Sequence, residues 1–279
     1  MAGASDRLRR GPAAPHVIGP VSTDAVSPGA PRTGSQHASG FRLGPVIVDV
    51  ESSNADVLRW LTAFLVPSVE VIGHGRGEVV IRFTCSTDGY DALERHARAR
   101  DVRPIPCLAL DRRIISRPGW HEGRVTVLAD RDRGCFYRID QVRVDVVARV
   151  DSRRIRHGLM RIVRETLTTR WLARGGVLDL HASAFETQGR AVLIAGPKQS
   201  GKTTLLCHAL SSRQARVMAN DRVFVDCTAT PPVAHGIPTI VSIRPETSRF
   251  FPALQGAASM SPAELAERLR TTVTARAPL

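Results

Sequence analysis

Lysine is nearly absent from this 279-residue chain: of 39 lysine and arginine residues, only Lys198 and Lys202 are lysines. Aromatic residues are also scarce, at 5% with two tyrosines. That leaves little material for the stacking platforms that hold single-stranded nucleic acid. No two of the five cysteines (Cys85, Cys107, Cys135, Cys207, Cys227) are spaced as C-x-x-C, which removes the usual zinc and dithiol frameworks and suits a reducing compartment. No apolar run approaches the ~18–20 residues that span a bilayer. The opening segment Met1–Arg10 has no apolar core of a secretion signal. The expectation is a soluble, cytoplasmic protein with no membrane partner. The formal charge of +13 raises the question of nucleic acid, but the arginines are interleaved with acids, as in Asp130-Arg-Asp-Arg133. Nucleic acid is therefore not the expected partner, and an acidic protein or peptide accounts for the charge equally well.

The two lysines fall in one segment, Gly196-Pro197-Lys198-Gln199-Ser200-Gly201-Lys202-Thr203-Thr204. It matches G-x-x-x-x-G-K-[ST], the loop that cradles nucleotide phosphates. Glycines let successive N–H groups turn inward, Lys202 reaches the β- and γ-phosphates, and the Thr203 hydroxyl can hold Mg²⁺. The apolar run Ala191–Ala195 ahead of it reads as a buried strand, and Thr203-Thr-Leu-Leu behind it opens a helix whose N-terminus favours anions. ATP with Mg²⁺ is the expected cofactor pair.

Residues 1–44 are rich in Gly, Pro, Ala and Ser and lack apolar periodicity, so a disordered tail is expected there. An N-terminal α+β lobe is expected over 45–150. Its strand patterns are Pro45–Val50, Glu78–Phe83, Arg124–Leu128, Cys135–Ile139 and Val142–Ala148, with a helix over Asn54–Leu65 and Asn54 as its cap. A long amphipathic helix from about Ser152 to Leu172 places Ile155, Leu159, Ile162, Val163, Leu167 and Leu172 on one face and arginines on the other; Gly175-Gly176 ends it. Two strand patterns, Val177–Glu186 and Arg190–Ala195, are separated by Thr187-Gln-Gly189 and predict a hairpin. The strand feeding the phosphate loop is then antiparallel to its predecessor, which predicts a mixed sheet. Three weaker candidates read as structure: Gly73-His-Gly-Arg-Gly77 as a flexible turn rather than an anion cradle, His121-Glu122 as loop, and Cys207 as core.

Eighteen positions past Thr203 lies Asp221, in the acidic turn Ala219-Asn-Asp-Arg-Val223, and His181 lies 22 positions before Thr203 in His181-Ala-Ser-Ala. Histidine, phosphate loop, acidic turn and mixed sheet together resemble the HPr kinase/phosphorylase family and its phosphoenolpyruvate-carboxykinase-like relatives over about residues 176–250. The resemblance implies an α/β nucleotide-binding domain over 151–279. It further implies an assembly of identical subunits and an ATP-dependent kinase that phosphorylates a Ser/Thr hydroxyl of a protein or peptide. Carried over by motif, Asp221 is the base, Lys202 and His181 complete the catalytic set, and Thr203 is the metal ligand.

The chain departs from the family pattern at three points. Asn220 stands where the family usually has a first Asp. No Glu-Ile-Arg-Gly-type segment follows, with Glu246 in Ile243-Arg-Pro-Glu-Thr as a remote substitute. The chain also closes where relatives add further strands, which suggests a shortened domain. These departures point away from HPr itself as acceptor. They also keep two other readings open: an ATP-binding regulator that has lost transfer, and an enzyme acting on a small molecule.

Overall fold

The strand patterns of the first half assemble into one large sheet. A computed structural model describes residues 37–108 and 114–279. Strands β1 (His37–Leu43) and β2 (Val46–Ser52) form an antiparallel hairpin. Helix α1 (Ala55–Leu65) follows, with Asn54 accepting from the Asp56 amide as its N-cap. Next come β3 (Glu70–Ile72), β4 (Val79–Cys85), α2 (Thr87–Arg98), β5 (Arg103–Leu108), β6 (Ile114–Glu122), β7 (Val125–Asp130), β8 (Cys135–Ile139) and β9 (Arg143–Ala148). Among the described residues these strands form one sheet in the order β3-β1-β2-β4-β9-β8-β7-β6-β5. The pairs β2–β4 and β4–β9 are parallel, and the others antiparallel.

Three of these elements are not evident in the sequence, for separable reasons. Helix α2 buries only Tyr90 and Ala97, so it lacks an apolar stripe; its signals are the Ser86 cap on the Gly89 amide and the basic last turn. Strand β5 contains Pro104 and Pro106 and lies at the sheet edge, where a missing N–H is tolerated. Glu122, expected in a loop, ends β6 and accepts from Trp120 Nε1 at 2.9 Å.

Helix α3 (Arg153–Arg174) joins the two halves of the fold. Ser152 caps it by accepting from the Ile155 amide at 3.3 Å, and Gly175 closes it at φ 77°. Ile155, Leu159, Val163 and Leu167 are buried in the core of the large sheet, and the same core contains Phe224 and Ile237 from the second half. Trp171, near the end of the helix, meets the Phe224 ring at 5.5 Å. The expected division at residue 150 therefore runs through a shared core. The expected tail also ends earlier than Pro45, because β1 begins at His37; residues 1–36 of that tail lie outside the described residues. Alternation along β8 separates the two sheet faces: Cys135 faces the α1–α3 side, and Phe136 joins Tyr90 and Trp120 beneath α2.

After α3 come β10 (Val177–Leu180), β11 (Ala182–Thr187), β12 (Arg190–Ala195), α4 (Lys202–Ser211), β13 (Ala215–Ala219), β14 (Val223–Asp226), β15 (Val233–Gly236), β16 (Val241–Ser242), α5 (Pro245–Ser248), β17 (Ser259–Met260), α6 (Pro262–Arg268) and β18 (Arg276–Pro278). The expected hairpin is β11–β12, turning through Gln188 and Gly189 at φ 52° and 80°, the left-handed pair that a tight two-residue turn needs. The sheet holding it, β12-β11-β13, is antiparallel throughout, as is its neighbour β10-β14-β15-β18. The mixed sheet is thus the N-terminal one, and this corrects the expectation that the phosphate loop springs from a mixed sheet. A β12–α4–β13 crossover does exist, but β11 lies between its two strands. The two small sheets approach closely at Gly236, where an added Cβ would stand 2.1 Å from the Met218 carbonyl oxygen.

His235 on β15 is 9% exposed and meets Trp171 edge-on at 4.9 Å. Burial, helped by Arg276 and opposed by Asp226, holds its imidazole below the ordinary value. With the folded pKa depressed, the fold is at full stability above the unfolded value of about 6.5; it loses stability as pH falls below that and the unfolded chain takes up the proton first. Thermal unfolding followed by circular dichroism at about pH 7.5 and about pH 5.5 should give a lower melting temperature at the acid value. The drop should shrink in His235→Gln. An undiminished drop would assign the acid sensitivity to other groups, His157 being the next, since burial lowers it too.

Candidate functional site

Two chain crossings and one loop meet at one end of the small three-stranded sheet. The sequence pattern Val177–Glu186 is not a single strand: it breaks at His181, with β10 paired to β14 in one sheet and β11 paired to β13 in the other. The chain crosses back between the same two sheets at Asn220-Asp221-Arg222, from β13 to β14. Register pairs Leu180 with Val223 on one side of the crossings and Ala184 with Ala219 on the other. The crossings therefore lie side by side, and His181 Nδ1 comes 3.2 Å from Asp221 Oδ1. Ala182 pairs with Ala195, the last residue of β12, which brings the phosphate loop alongside. His181, Asp221 and the loop, placed 40 residues apart in sequence, are neighbours because of this double crossing. The two side chains of the dyad remain 59% and 54% exposed.

Within the loop, Pro197, Lys198, Gln199, Ser200 and Gly201 are exposed, and Gly196, Thr203 and Thr204 are half-buried. Gly201 adopts φ 86° as the N-cap of α4, a left-handed conformation suited to glycine. Lys202 is buried, at 9% exposure, and its Nζ donates to the Gly196 and Pro197 carbonyls at 2.9 and 3.0 Å. Among the described residues no carboxylate pairs with it. A buried ammonium held by neutral carbonyls at a helix N-terminus is a positive site without a counter-charge.

The Thr203 hydroxyl donates to Asn220 Oδ1 at 3.2 Å. The residue touching the candidate metal ligand is therefore Asn220, and Asp221 faces His181 instead. Ser183 Oγ donates to the Asn220 carbonyl and fixes the turn from behind. Among the described residues no three His, Cys, Asp or Glu side chains converge on a common point. Protein oxygens available to Mg²⁺ are thus Thr203 Oγ1 and the Asn220 amide oxygen, which fit a hard cation that keeps water and phosphate oxygens as its remaining ligands. Glu246 does not join them: it opens α5, and it is its neighbour Thr247 that packs against the loop helix, with hydroxyl oxygens of Thr204 and Thr247 3.0 Å apart.

Sequence reasoning missed what anchors the acidic turn. The guanidinium of Arg222 forks onto Asp179 at 3.0 and 2.9 Å and onto Glu165 at 3.1 and 3.0 Å. Burial opposes the charge on Arg222, but Asp179 and Glu165 outweigh it and raise its pKa. Glu165 is the one acid on a helix carrying seven arginines, and that singularity was the available signal. Arg222→Met should remove the cation that Asp179 and Glu165 share, leave Glu165 with Arg164, and destabilise the fold by about 3 kcal/mol. Thermal unfolding should show a decrease of roughly 5–10 °C. A melting temperature equal to wild type would remove Arg222 as the anchor of the turn.

The weaker candidates resolve as structure. Gly73–Gly77 does hold an anion, but an internal one: the amides of Gly75 and Gly77 donate to Asp49 Oδ2 at 3.0 and 2.9 Å. Cys207 is fully buried on the inner face of α4, and burial pushes its thiol up to about 11, leaving it a neutral core residue. The basic face of α3 is only partly solvated: Arg164 is buried against the Pro238 carbonyl at 3.3 Å. Among the described residues no helix is long and apolar enough to cross a membrane. No protein-family model matches the chain, and no curated protein sequence matches it.

Proposed function

We propose that the chain is an ATP-dependent kinase that transfers the γ-phosphoryl group to a Ser/Thr hydroxyl of a protein or peptide other than HPr. The observation that carries this reading is the uncompensated ammonium of Lys202 at the N-terminus of α4, 9% exposed and without a carboxylate partner among the described residues. A nucleoside triphosphate supplies the missing charge, in a loop whose sequence is the phosphate-binding motif. In this reading Gly196–Thr204 wraps the phosphates and Lys202 exchanges its carbonyl partners for phosphate oxygens. Thr203 and Asn220 would hold Mg²⁺, which would supply positive charge to offset the phosphoryl groups.

Asp221, steadied by His181, accepts the proton of the acceptor hydroxyl. The hydroxyl oxygen then bonds to the γ-phosphorus as the bond to the β–γ bridging oxygen breaks and ADP departs. The exposure of the dyad suits an acceptor residue presented by another macromolecule.

One observation favours a second reading, a nucleotide-binding regulator without transfer. The side chain against Thr203 is the neutral amide of Asn220, which draws a divalent cation less strongly than a carboxylate does. Incubating the protein with γ-labelled ATP and Mg²⁺ in a lysate of the source organism separates the two readings. A labelled band that requires Asp221 supports the kinase. Folded protein that binds ATP and labels nothing supports the regulator.

A further inference from the structure

Arg161 lies outside the network just described. It is half-buried on α3 and, among the described residues, has no ion pair or hydrogen bond. The charged groups facing it are the guanidinium groups of Arg133 and Arg164 and one carboxylate, Glu165; the Tyr137 hydroxyl completes the surroundings. Glu165 is already engaged by Arg164 at 2.9 Å and by Arg222. Asp130, the acid that holds Arg133, is also taken: Arg117 approaches its Oδ1 at 3.0 Å, Arg133 its Oδ2 at 2.5 Å, and Tyr137 donates at 3.3 Å. Arg117, Arg133, Arg164 and Arg222 thus occupy both carboxylates, and Arg161 is left without one among the described residues.

The crowding is a consequence of the packing. Gly158, one turn before Arg161, has no side chain, and the position of an added Cβ would lie 3.5 Å from Arg133 Cδ and 3.8 Å from the Tyr137 hydroxyl. The loop after β7 and strand β8 therefore press directly on α3. Burial and the two flanking arginines hold the Arg161 guanidinium below the ordinary arginine range. Like charges gathered in a partly desolvated place cost stability unless an anion joins them, and the planar fork of arginine matches a phosphoryl or carboxylate group.

We propose that Arg161, flanked by Arg133 and Arg164, forms an oxyanion site on α3 that takes a phosphoryl or carboxylate group and is separate from the phosphate loop. The same helix bears Glu165, which holds Arg222 next to Asp221, so an acidic group bound at Arg161 occupies the element that positions the acidic turn. The site stands independently of phosphoryl transfer.

Its test uses the full chain carrying Lys202→Met, which weakens the phosphate loop, with inorganic phosphate and glutarate as probes in calorimetric titrations compared with and without Arg161. Phosphate or glutarate should bind this protein, and adding Arg161→Gln should weaken binding about tenfold or more. Arg161→Lys, which keeps the charge and loses the fork, should retain part of the affinity. Tighter phosphate assigns the site to phosphoryl groups, and tighter glutarate assigns it to acidic side chains. Binding untouched by Arg161→Gln, or the absence of binding by both probes, would overturn the proposal. A wild-type protein that fails to bind ATP yet keeps Arg161-dependent phosphate binding would remove the phosphate-loop reading and leave this one intact.

Discussion

Replacing Asp221 by alanine is expected to cut phosphoryl transfer by about 10²–10⁴-fold, the range supplied by a positioned general base. ATP affinity should be nearly unchanged. The split follows from the geometry: the Asp221 carboxylate contacts His181, is 54% exposed, and among the described residues makes no hydrogen bond or ion pair to the phosphate loop. Its loss removes a proton acceptor and leaves Lys202, Thr203 and the helix N-terminus as they are. The turn itself is held from behind by Arg222 and Ser183, so the substitution should not loosen the loop. Steady-state kinetics should therefore show a lower kcat with an almost constant KM for ATP. His181→Ala should have a smaller effect in the same direction, because the histidine orients the carboxylate and receives no proton from the acceptor. Equal transfer by Asp221→Ala and wild type would remove the assigned base.

Much of the fold is legible where local chemistry and tertiary packing agree. Helix α3 is readable because Ile155, Leu159, Val163 and Leu167 recur at helical spacing, with Ser152 and Gly175 as its punctuation. The β11–β12 hairpin is readable because a Gln-Gly pair between apolar runs has one common solution. What escaped reading lacks a local signal. Helix α2 is polar almost all round, and β5 carries two prolines that argue against any strand but an edge one. The sheet type was misread because β11 inserts between β12 and β13, and no residue pattern announces that a hairpin strand will occupy the middle place.

The candidate site divides in the same way. The phosphate loop is a contiguous motif and is visible at once. The pairing of His181 with Asp221 depends on two sheet-to-sheet crossings lying side by side, and each crossing looks in sequence like the middle of a strand or a plain turn. Which residue of the Asn220–Asp221 pair meets Thr203 is decided by the twist of that turn, and the structure gives it to Asn220. The Asp179–Arg222–Glu165 clamp joins residues up to 57 positions apart. In sequence it left one trace, a lone acid on an arginine-rich helix.

Lys202→Met should act in opposite directions on binding and on stability, and that opposition makes it the sharper test of the nucleotide reading. Methionine keeps most of the apolar stem and a similar volume, so the packing of this buried side chain is largely preserved. The ammonium contributes charge-assisted hydrogen bonds to phosphate, and its loss should weaken ATP binding by roughly 10–100-fold. Without nucleotide, the same ammonium is a buried cation whose partners are two carbonyl oxygens. Removing it relieves a desolvation cost, so the unliganded variant should melt at or above the wild-type temperature. Thermal unfolding with and without saturating Mg²⁺-ATP reads both effects at once. Wild type should gain several degrees from ATP, in proportion to RT ln(1 + [L]/Kd), and Lys202→Met should gain much less from a starting point that is no lower. A variant that keeps the full ATP-induced gain would show that the buried lysine does not meet the nucleotide. A variant that melts well below wild type would show that the Gly196 and Pro197 carbonyls are what Lys202 is there to hold.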